Sequence, residues 1–404
     1  MHTTARLGVR ALWAIVLLVS ASAHADLAET TAQYSAEADV SETCSVCHSL
    51  RYLDRAQGYD TADEWSRVIA SMVSLPAARD RAISTYLAEK YRHNPSKAPK
   101  LIAGETNIVI DEWVTPSLGQ RTRDPIEAPD GDIWWTGMWA SLVGRLDPAT
   151  GAMQEFLLPS AARPHSIVPD RDGFIWYTGN SNATIGKLDP ATGEIIEYPT
   201  QARDPHTAVF HPNGNLYFTS QHSNMLGRLN PTTGEVTEIG TRRKPYGIKV
   251  GQDNDLFVAF NGTNAIGRMN PESLAVTYHE IPDEKTRIRR LDVDSDGHVW
   301  FVNSSLGKIG KLNVESGTVK QWDSPSGPLS HPYSMTVIND IVWYNESGMR
   351  PDALVRFDPT SERFQSWAVP SGVGIIRHTW KTQDGDLLIH QSSSNRVGRV
   401  RIAE

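Results

Sequence analysis

From about residue 123 to the C-terminus, short apolar runs alternate with polar turns, and the whole pattern recurs at roughly forty-residue intervals. The copy that opens at Arg163 shows it plainly. Pro164-His165-Ser166-Ile167 is followed by the turn Asp172-Gly173 and the run Ile175-Trp176-Tyr177-Thr178, then by Thr184-Ile185-Gly186-Lys187-Leu188. After the turn Asp189-Pro190-Ala191-Thr192-Gly193 a last run ends at Tyr198. Four β-prone runs per copy, punctuated by Asp-Gly and Pro/Gly turns, predict one propeller blade each. Seven copies align, with second runs that begin at Ile133, Ile175, Leu216, Leu256, Val299, Ile341 and Leu387. Aromatic and aliphatic residues fill both faces of these runs, which predicts buried middle strands. The seventh copy ends at Glu404 without a fourth run, and a run of that kind, residues 107–113, precedes the first copy. Pairing the two closes the ring and leaves no exposed edge. The predicted fold is an all-β seven-bladed propeller over residues 104–404.

Upstream the period changes. Thr61-Ala62-Asp63-Glu64 reads as a capping box opening a helix, and Trp65, Val68, Ile69, Met72 and Val73 form one apolar face at helical spacing. Pro76 ends that helix, and a second, over about residues 79–91, carries Ile83, Tyr86, Leu87 and Tyr91. Residues 26–103 therefore predict a small all-α domain. The Pro- and Lys-containing stretch 94–104 has no periodicity and reads as the linker. Before residue 26, Arg6 and Arg10 flank an apolar run (11–20) that leads to Ala23-His24-Ala25, the layout of a secretory signal peptide over residues 1–25. That run is short for a membrane span. The expectation is a periplasmic or otherwise exported protein with no transmembrane segment after cleavage.

Composition adds two constraints. A formal net charge of −8 and the lack of any basic run argue against nucleic acid as a partner. The chain has only 2 cysteines, Cys44 and Cys47, both within Cys44-Ser45-Val46-Cys47-His48. Cys-x-x-Cys-His is the attachment pattern of c-type haem: two thiols for two vinyl groups, and an adjacent imidazole as axial ligand. A structural zinc site would need further ligands and a thioredoxin-type pair a βαβ context, while a lone disulfide-like pair stays open as the plainer alternative. Haem c, bound covalently through Cys44 and Cys47 with His48 on the iron, is the cofactor reading. Met72 is a candidate sixth ligand by its place on the apolar face, although a methionine on a helix stripe also serves as core filler; His93 is the fallback.

In a propeller, the innermost strands face the central channel. The equivalent position in the seven copies is Arg123, His165, His206, Tyr246, Arg289, Tyr333 and Arg377. Fourteen residues further on stand Gly137, Gly179, Ser220, Phe260 and Asn303, with Glu346 after one deletion and then Gln391. Polar and charged groups in a channel must be paired or wet, so this ring marks the candidate binding mouth, a solvated channel without ligand being the plainer alternative.

Two resemblances follow from these residues. Cys44–His48 with a Trp-led helix bearing Met72 resembles the haem domains of quinohaemoprotein amine dehydrogenases, which implies a cytochrome c-like fold and Met72 as iron ligand. The blade pattern over residues 106–404 resembles the streptogramin B (virginiamycin B) lyases, seven-bladed propellers that open a cyclic depsipeptide ester by Mg²⁺-assisted elimination. That resemblance implies catalytic roles for His165, His206, Tyr246 and Asp204, the acidic residue two before the second histidine. It also implies Mg²⁺, but Ser220 stands where the family has a metal-holding glutamate, which removes a hard oxygen ligand.

Three functions are open on the sequence. The first is an exported haem protein whose lyase-like propeller binds a small substrate or partner protein and whose haem transfers electrons. The second is a C–O lyase of the virginiamycin B type, and the third a non-catalytic binding or sensor module.

Overall fold

The computed structural model describes residues 35–46, 49–55, 59–92, 94–159, 161–372 and 374–403. The signal-peptide reading, Cys47, His48 and His93 lie outside the described residues.

Seven four-stranded antiparallel sheets make up the propeller. In six of them the strands run in chain order from the channel outward. The seventh is completed by Asn107–Val114, which pairs antiparallel with Arg396–Ala403 from Asn107↔Ala403 to Val114↔Arg396. Hydrogen-bonding the two ends of the chain into one blade closes the circle, so no blade is left with a missing outer strand. The second strand of every blade is buried along its length. Trp134, Trp135, Trp176, Tyr177, Phe218, Phe301 and Tyr344 on these strands are almost wholly removed from water. Each such side chain contributes about 1.5–3 kcal/mol of burial.

The Gly-Lys/Arg pair of the third strands has a packing cause. Gly144, Gly186, Gly227 and Gly310 lie directly across from Trp135, Tyr177, Phe218 and Phe301. A Cβ at Gly144 would sit 2.0 Å from the Trp135 ring, and one at Gly186 2.0 Å from the Tyr177 ring. The aromatic side chain lies flat over the glycine, so the pair is one packing unit. The basic residue that follows turns outward and meets the Asp-Gly turn: Arg145 pairs with Asp132, Arg268 with Asp255, and Arg399 with Asp386 at 2.7 Å.

Among the described residues four α-helices precede the propeller: α1 (Ala36–Cys44), α2 (Arg51–Arg55), α3 (Ala62–Ala70) and α4 (Ala77–Lys90). Thr61 and Glu64 form the predicted capping box of α3. Trp65, Val68, Ile69, Ile83 and Leu87 form the buried heart of the helical region, and Cys44 and Met72 pack against it. Helix α3 ends earlier than its apolar stripe. Met72 N bonds to Ile69 O at 2.9 Å and Ser71 Oγ to Val68 O at 2.7 Å, so the chain tightens into a turn and Met72 sits beyond the helix. Among the described residues no helix is long and apolar enough to cross a membrane.

The helices dock on the propeller. Gly119 N donates to Ser71 O at 3.2 Å, Tyr52 meets Trp139 edge-on at 6.4 Å, and Tyr59 OH reaches Ser371 O at 3.4 Å. The linker is also held: Lys97 O, Lys100 O and Ile102 O accept from Arg350 N, Ser366 Oγ and Ser366 N at 2.7, 2.8 and 2.9 Å. Its lack of periodicity reflects a chain laid along a blade.

Candidate functional site

The ring residues owe their orientation to β-bulges. In the second, third and fourth blades the register of the innermost strand shifts between Pro164 and Ile167, Pro205 and Ala208, and Pro245 and Ile248. His165, His206 and Tyr246 lie inside these shifts, where an extra residue bends the strand and re-aims its side chains. The same irregularity occurs at Arg289-Arg290 and at Tyr333-Ser334.

A threonine on the neighbouring strand satisfies the disturbed backbone. Thr178 Oγ1 accepts from Ser166 N at 2.9 Å and donates to His206 O at 3.1 Å; Thr219 Oγ1 accepts from Thr207 N at 3.3 Å and donates to Tyr246 O at 2.7 Å. Each threonine therefore ties a blade's bulge to the ring residue of the next blade. Asn345 does the same in the sixth blade, accepting from Ser334 N at 2.9 Å and donating to Ile376 O at 3.1 Å. In the seventh, His390 Nε2 accepts from Arg377 N at 3.0 Å.

The ring has two halves. On one side the imidazoles of His165 and His206 lie 3.6 Å apart between centroids, tilted by 33°, and His206 lies 4.2 Å from the Tyr246 ring. Burial, the neighbouring His206 and Arg123 push His165 well below the ordinary histidine range. Burial, then Arg290 and Arg123, do the same to His206. Both imidazoles are neutral at neutral pH, the form that can take a proton. Thr207 Oγ1 accepts from Arg290 Nη1 at 3.0 Å and lies 2.9 Å from His206 Nδ1, so it orients the imidazole.

On the other side arginines surround Tyr333. Its hydroxyl bonds to Tyr246 OH and accepts from Arg377 Nη1 at 3.3 Å, and the Arg289 guanidinium lies 4.5 Å from its ring. Burial opposes ionisation of Tyr333, but Arg289, Arg377 and Arg123 outweigh it and bring the phenol down to about 6. Burial and the neighbouring Tyr333 push Tyr246 up, so of the pair Tyr333 is the one that ionises.

Two ring-facing residues were missed by taking one position per copy. Asp124 and Arg290 each follow a ring residue. Arg290 Nη2 lies 3.5 Å from Asp124 Oδ2, which is 3.9 Å from His165 Nδ1, and all three residues are buried. The cause is the bulge, which turns two consecutive residues toward the channel where strand alternation would turn one.

The other sequence candidates fall elsewhere. The Asp204 carboxylate accepts from His222 N at 2.5 Å, Ser223 N at 2.9 Å and Ser223 Oγ at 2.6 Å, and so anchors the turn after the second strand. Glu346 is held by Ser324 Oγ at 2.5 Å and Ser326 N at 2.9 Å. Ser220 is buried, with its hydroxyl unpartnered among the described residues. The ring residues do not fit Mg²⁺: arginines crowd the ring, Asp124 is engaged by Arg290, and the serine offers no carboxylate. Among the described residues no group of three or more His, Cys, Asp or Glu could hold a metal ion.

Met72 stands between two apolar cavities where the helices meet the propeller. The larger is a cleft lined by Tyr52, Trp65, Val68 and Met72 on the helical side and by Arg121, Trp139, Ile375 and Arg377 on the propeller side. The smaller has Cys44, Ile69, Met72 and Ile83 in its walls. Trp65 Nε1 is buried without a hydrogen-bond partner among the described residues. Apolar space thus lies on both sides of the Met72 thioether, with Cys44 in one wall.

The virginiamycin B lyase family model matches residues 106–242 and 237–404. Similar solved structures include a streptogramin B lyase, at 24% identity and TM-score 0.66 over 74% of this chain and 98% of that one. The virginiamycin B lyase of Staphylococcus aureus is similar at 22% identity and TM-score 0.66, over 74% of this chain and 100% of that one. A catalytically inactive histidine-to-alanine variant of the Staphylococcus aureus enzyme with quinupristin is similar at 24% identity and TM-score 0.65, over 74% and 100% of the two chains. A search of curated proteins finds no match. The chain belongs to the virginiamycin B lyase family, and the matched residues are those of the propeller.

Proposed function

We propose that this member of the virginiamycin B lyase family is an exported c-type haem protein. In this reading Cys44 and Cys47 attach the haem, His48 and Met72 ligate its iron, and the propeller mouth receives a small substrate or an electron-transfer partner. Bound there, the haem supplies one-electron transfer. The observation that carries the reading is the pair of apolar cavities sharing Met72, one walled by Cys44 and the other reaching Arg377 of the channel ring. The propeller's own part is to bind and orient. Its arginines favour an anionic group; His165 Nε2 already accepts from Arg123 Nη1, and the neutral His206 is the imidazole that can accept a proton from what lies against it. The test is a reduced-minus-oxidised visible spectrum of the full chain, exported from a host that matures c-type cytochromes. Bands of c-type haem that survive denaturation are expected, and a colourless protein from that host would end the reading.

A second reading, a lyase that opens a cyclic ester, is favoured by one observation: His206 sits in contact range of both His165 and Tyr246, a neutral base beside a proton partner. It would have to work without the carboxylate that Ser220 replaces. Ring-opening of a streptogramin B by the purified protein, lost in His206→Ala, would establish it; the first reading predicts no ring-opening.

A further inference from the structure

The cleft beside Met72 is not apolar throughout. Its helical wall is Tyr52, Leu53, Trp65, Val68 and Met72, whereas the propeller wall ends in two guanidinium groups, Arg121 and Arg377, with Ser392, Ser393 and Asn395 alongside. These come from the seam between the seventh and first blades. Arg121 and Ile375 are equivalent positions, each two residues before a ring residue, and both have left-handed backbone (φ 56 and 61). Three other blades repeat that conformation at Arg163, Lys244 and His331, so the turn is a device of the scaffold and the residue it presents is free to vary.

What it presents here is charge. The Arg121 guanidinium lies 4.7 Å from the Trp139 ring and 5.7 Å from the Tyr52 ring, so it bridges propeller and helices. Arg377 Nε is buried with no partner among the described residues, as are both side-chain polar atoms of Gln391 nearby on the same blade. The lining of the cleft includes no Asp or Glu. Asp124, the buried carboxylate of the ring, is taken by Arg290. Arg377 is buried with the Tyr333 phenol as its side-chain partner and Arg121 is half-buried, and cations at the end of an apolar cleft are further stabilised by an anionic ligand. A cleft with flat aromatic and aliphatic walls and two guanidinium groups at one end suits a flat apolar ring that carries two carboxylates on one edge.

We propose that Arg121 and Arg377 form the propeller's half of the haem site and bind the two propionate carboxylates, so that the haem lies on the seam between helices and propeller. The proposal rests on the haem reading above. The chemistry of attachment agrees with it. Bonding through the vinyl groups at Cys44 and Cys47 turns the carboxylate-bearing edge of the porphyrin away from the cysteines, and Met72 separates the Cys44 cavity from the arginines. It also gives the lyase-like propeller a task that needs no Mg²⁺: its mouth sets the electrostatics of the haem. Arg377, which donates to Tyr333 OH at 3.3 Å, then links the haem edge to the tyrosine and histidine ring.

The experiment is redox potentiometry on the haem-bearing full chain. Attachment through cysteines keeps the haem in place when the arginines are changed, so the midpoint potential can be read in every variant. A cation near the propionates disfavours the ferric state, so Arg121→Gln and Arg377→Gln should each lower the midpoint. The expected size is about tenfold in the reduction equilibrium, roughly 59 mV for one electron. Arg377→Lys should keep most of the wild-type value. Arg363→Gln, exposed on the outermost strand of its blade, should leave it unchanged. Arg121 is only half-buried, so its variant remains informative if Arg377→Gln folds poorly. Equal midpoints in wild type, Arg121→Gln and Arg377→Gln, all bearing covalent haem, would overturn this proposal and leave the haem reading standing. A wild-type chain without haem would remove both.

Discussion

The outer strands of the blades and the tips of the innermost strands are products of one repeat, yet they have diverged in opposite ways. Outside, the residue types recur because packing requires them: an aromatic over a glycine, then a basic side chain folded back on an Asp-Gly turn. Inside, the backbone recurs and the residue types do not. The bulge holds Arg123, His165, His206, Tyr246, Arg289 and Tyr333 at equivalent places, and nothing in it dictates which side chain stands there. A scaffold that fixes position without fixing chemistry can lose a metal-holding carboxylate, as at Ser220, and keep its fold.

The largest effect should come from the packing unit itself. Gly186→Ala places a Cβ 2.0 Å from the Tyr177 ring, which cannot move without breaking its 2.9 Å bond to Glu197. A loss of about 3 kcal/mol in denaturant unfolding is expected, the upper end for overpacking. The same change at Gly173, a turn position with nothing within 4 Å of its Cβ, meets no clash and carries only the strain of its φ of 86°. Equal losses at both glycines would break the contrast between packed and open positions.

Next comes the bridge between scaffold and ring. Thr178→Val leaves Ser166 N and His206 O, both buried, without their partner and should cost about 1–3 kcal/mol. It should also disturb the His165–His206 pair, visible as shifted imidazole signals in NMR. A loss of stability with unchanged imidazole signals would show that the bulge does not depend on its threonine.

The ring's electrostatics should appear as a pH window. Tyr333 ionises at about 6 in the folded protein, against an ordinary tyrosine value of 10. Between those values the unfolded chain holds a proton that the folded protein has lost, so stability rises with pH through the window. The contribution is complete above about pH 10 and disappears as pH falls through 6. A tyrosinate absorbance step near pH 6, missing in Tyr333→Phe, is the direct readout; a step that survives the substitution would assign the ionisation elsewhere.

The smallest effect belongs to the outer rim. Arg268→Ala removes exposed pairs with Asp253 and Asp255 and should cost less than about 1 kcal/mol, screened further by salt.

Much of this architecture was legible before any coordinates. The seven copies, the buried second strands, the capping box at Thr61 and the ring positions all follow from periodicity and turn chemistry, because each is repeated or local. What could not be read was non-local or broke the period. Asp124 and Arg290 entered the ring because a bulge exposes two residues where strand alternation exposes one. Asp204, singled out by the resemblance to the lyases, spends its carboxylate on the backbone of residues 222 and 223 and on the Ser223 hydroxyl. Met72 kept its helical spacing on paper while Ser71 and the turn hydrogen bonds ended α3 before it. The cleft joining Met72 to Arg121 and Arg377 depends on how the helices dock, which no local pattern encodes.

The account turns on whether the helical segment carries haem beside this ring. Intact mass of the exported full chain under denaturing conditions, after treatment with a thiol-alkylating reagent, decides it. The account predicts the mass of the mature chain plus one haem, with Cys44 and Cys47 both refusing the reagent because their sulfurs are already bonded. A chain without added haem mass, alkylated at both cysteines, would contradict it.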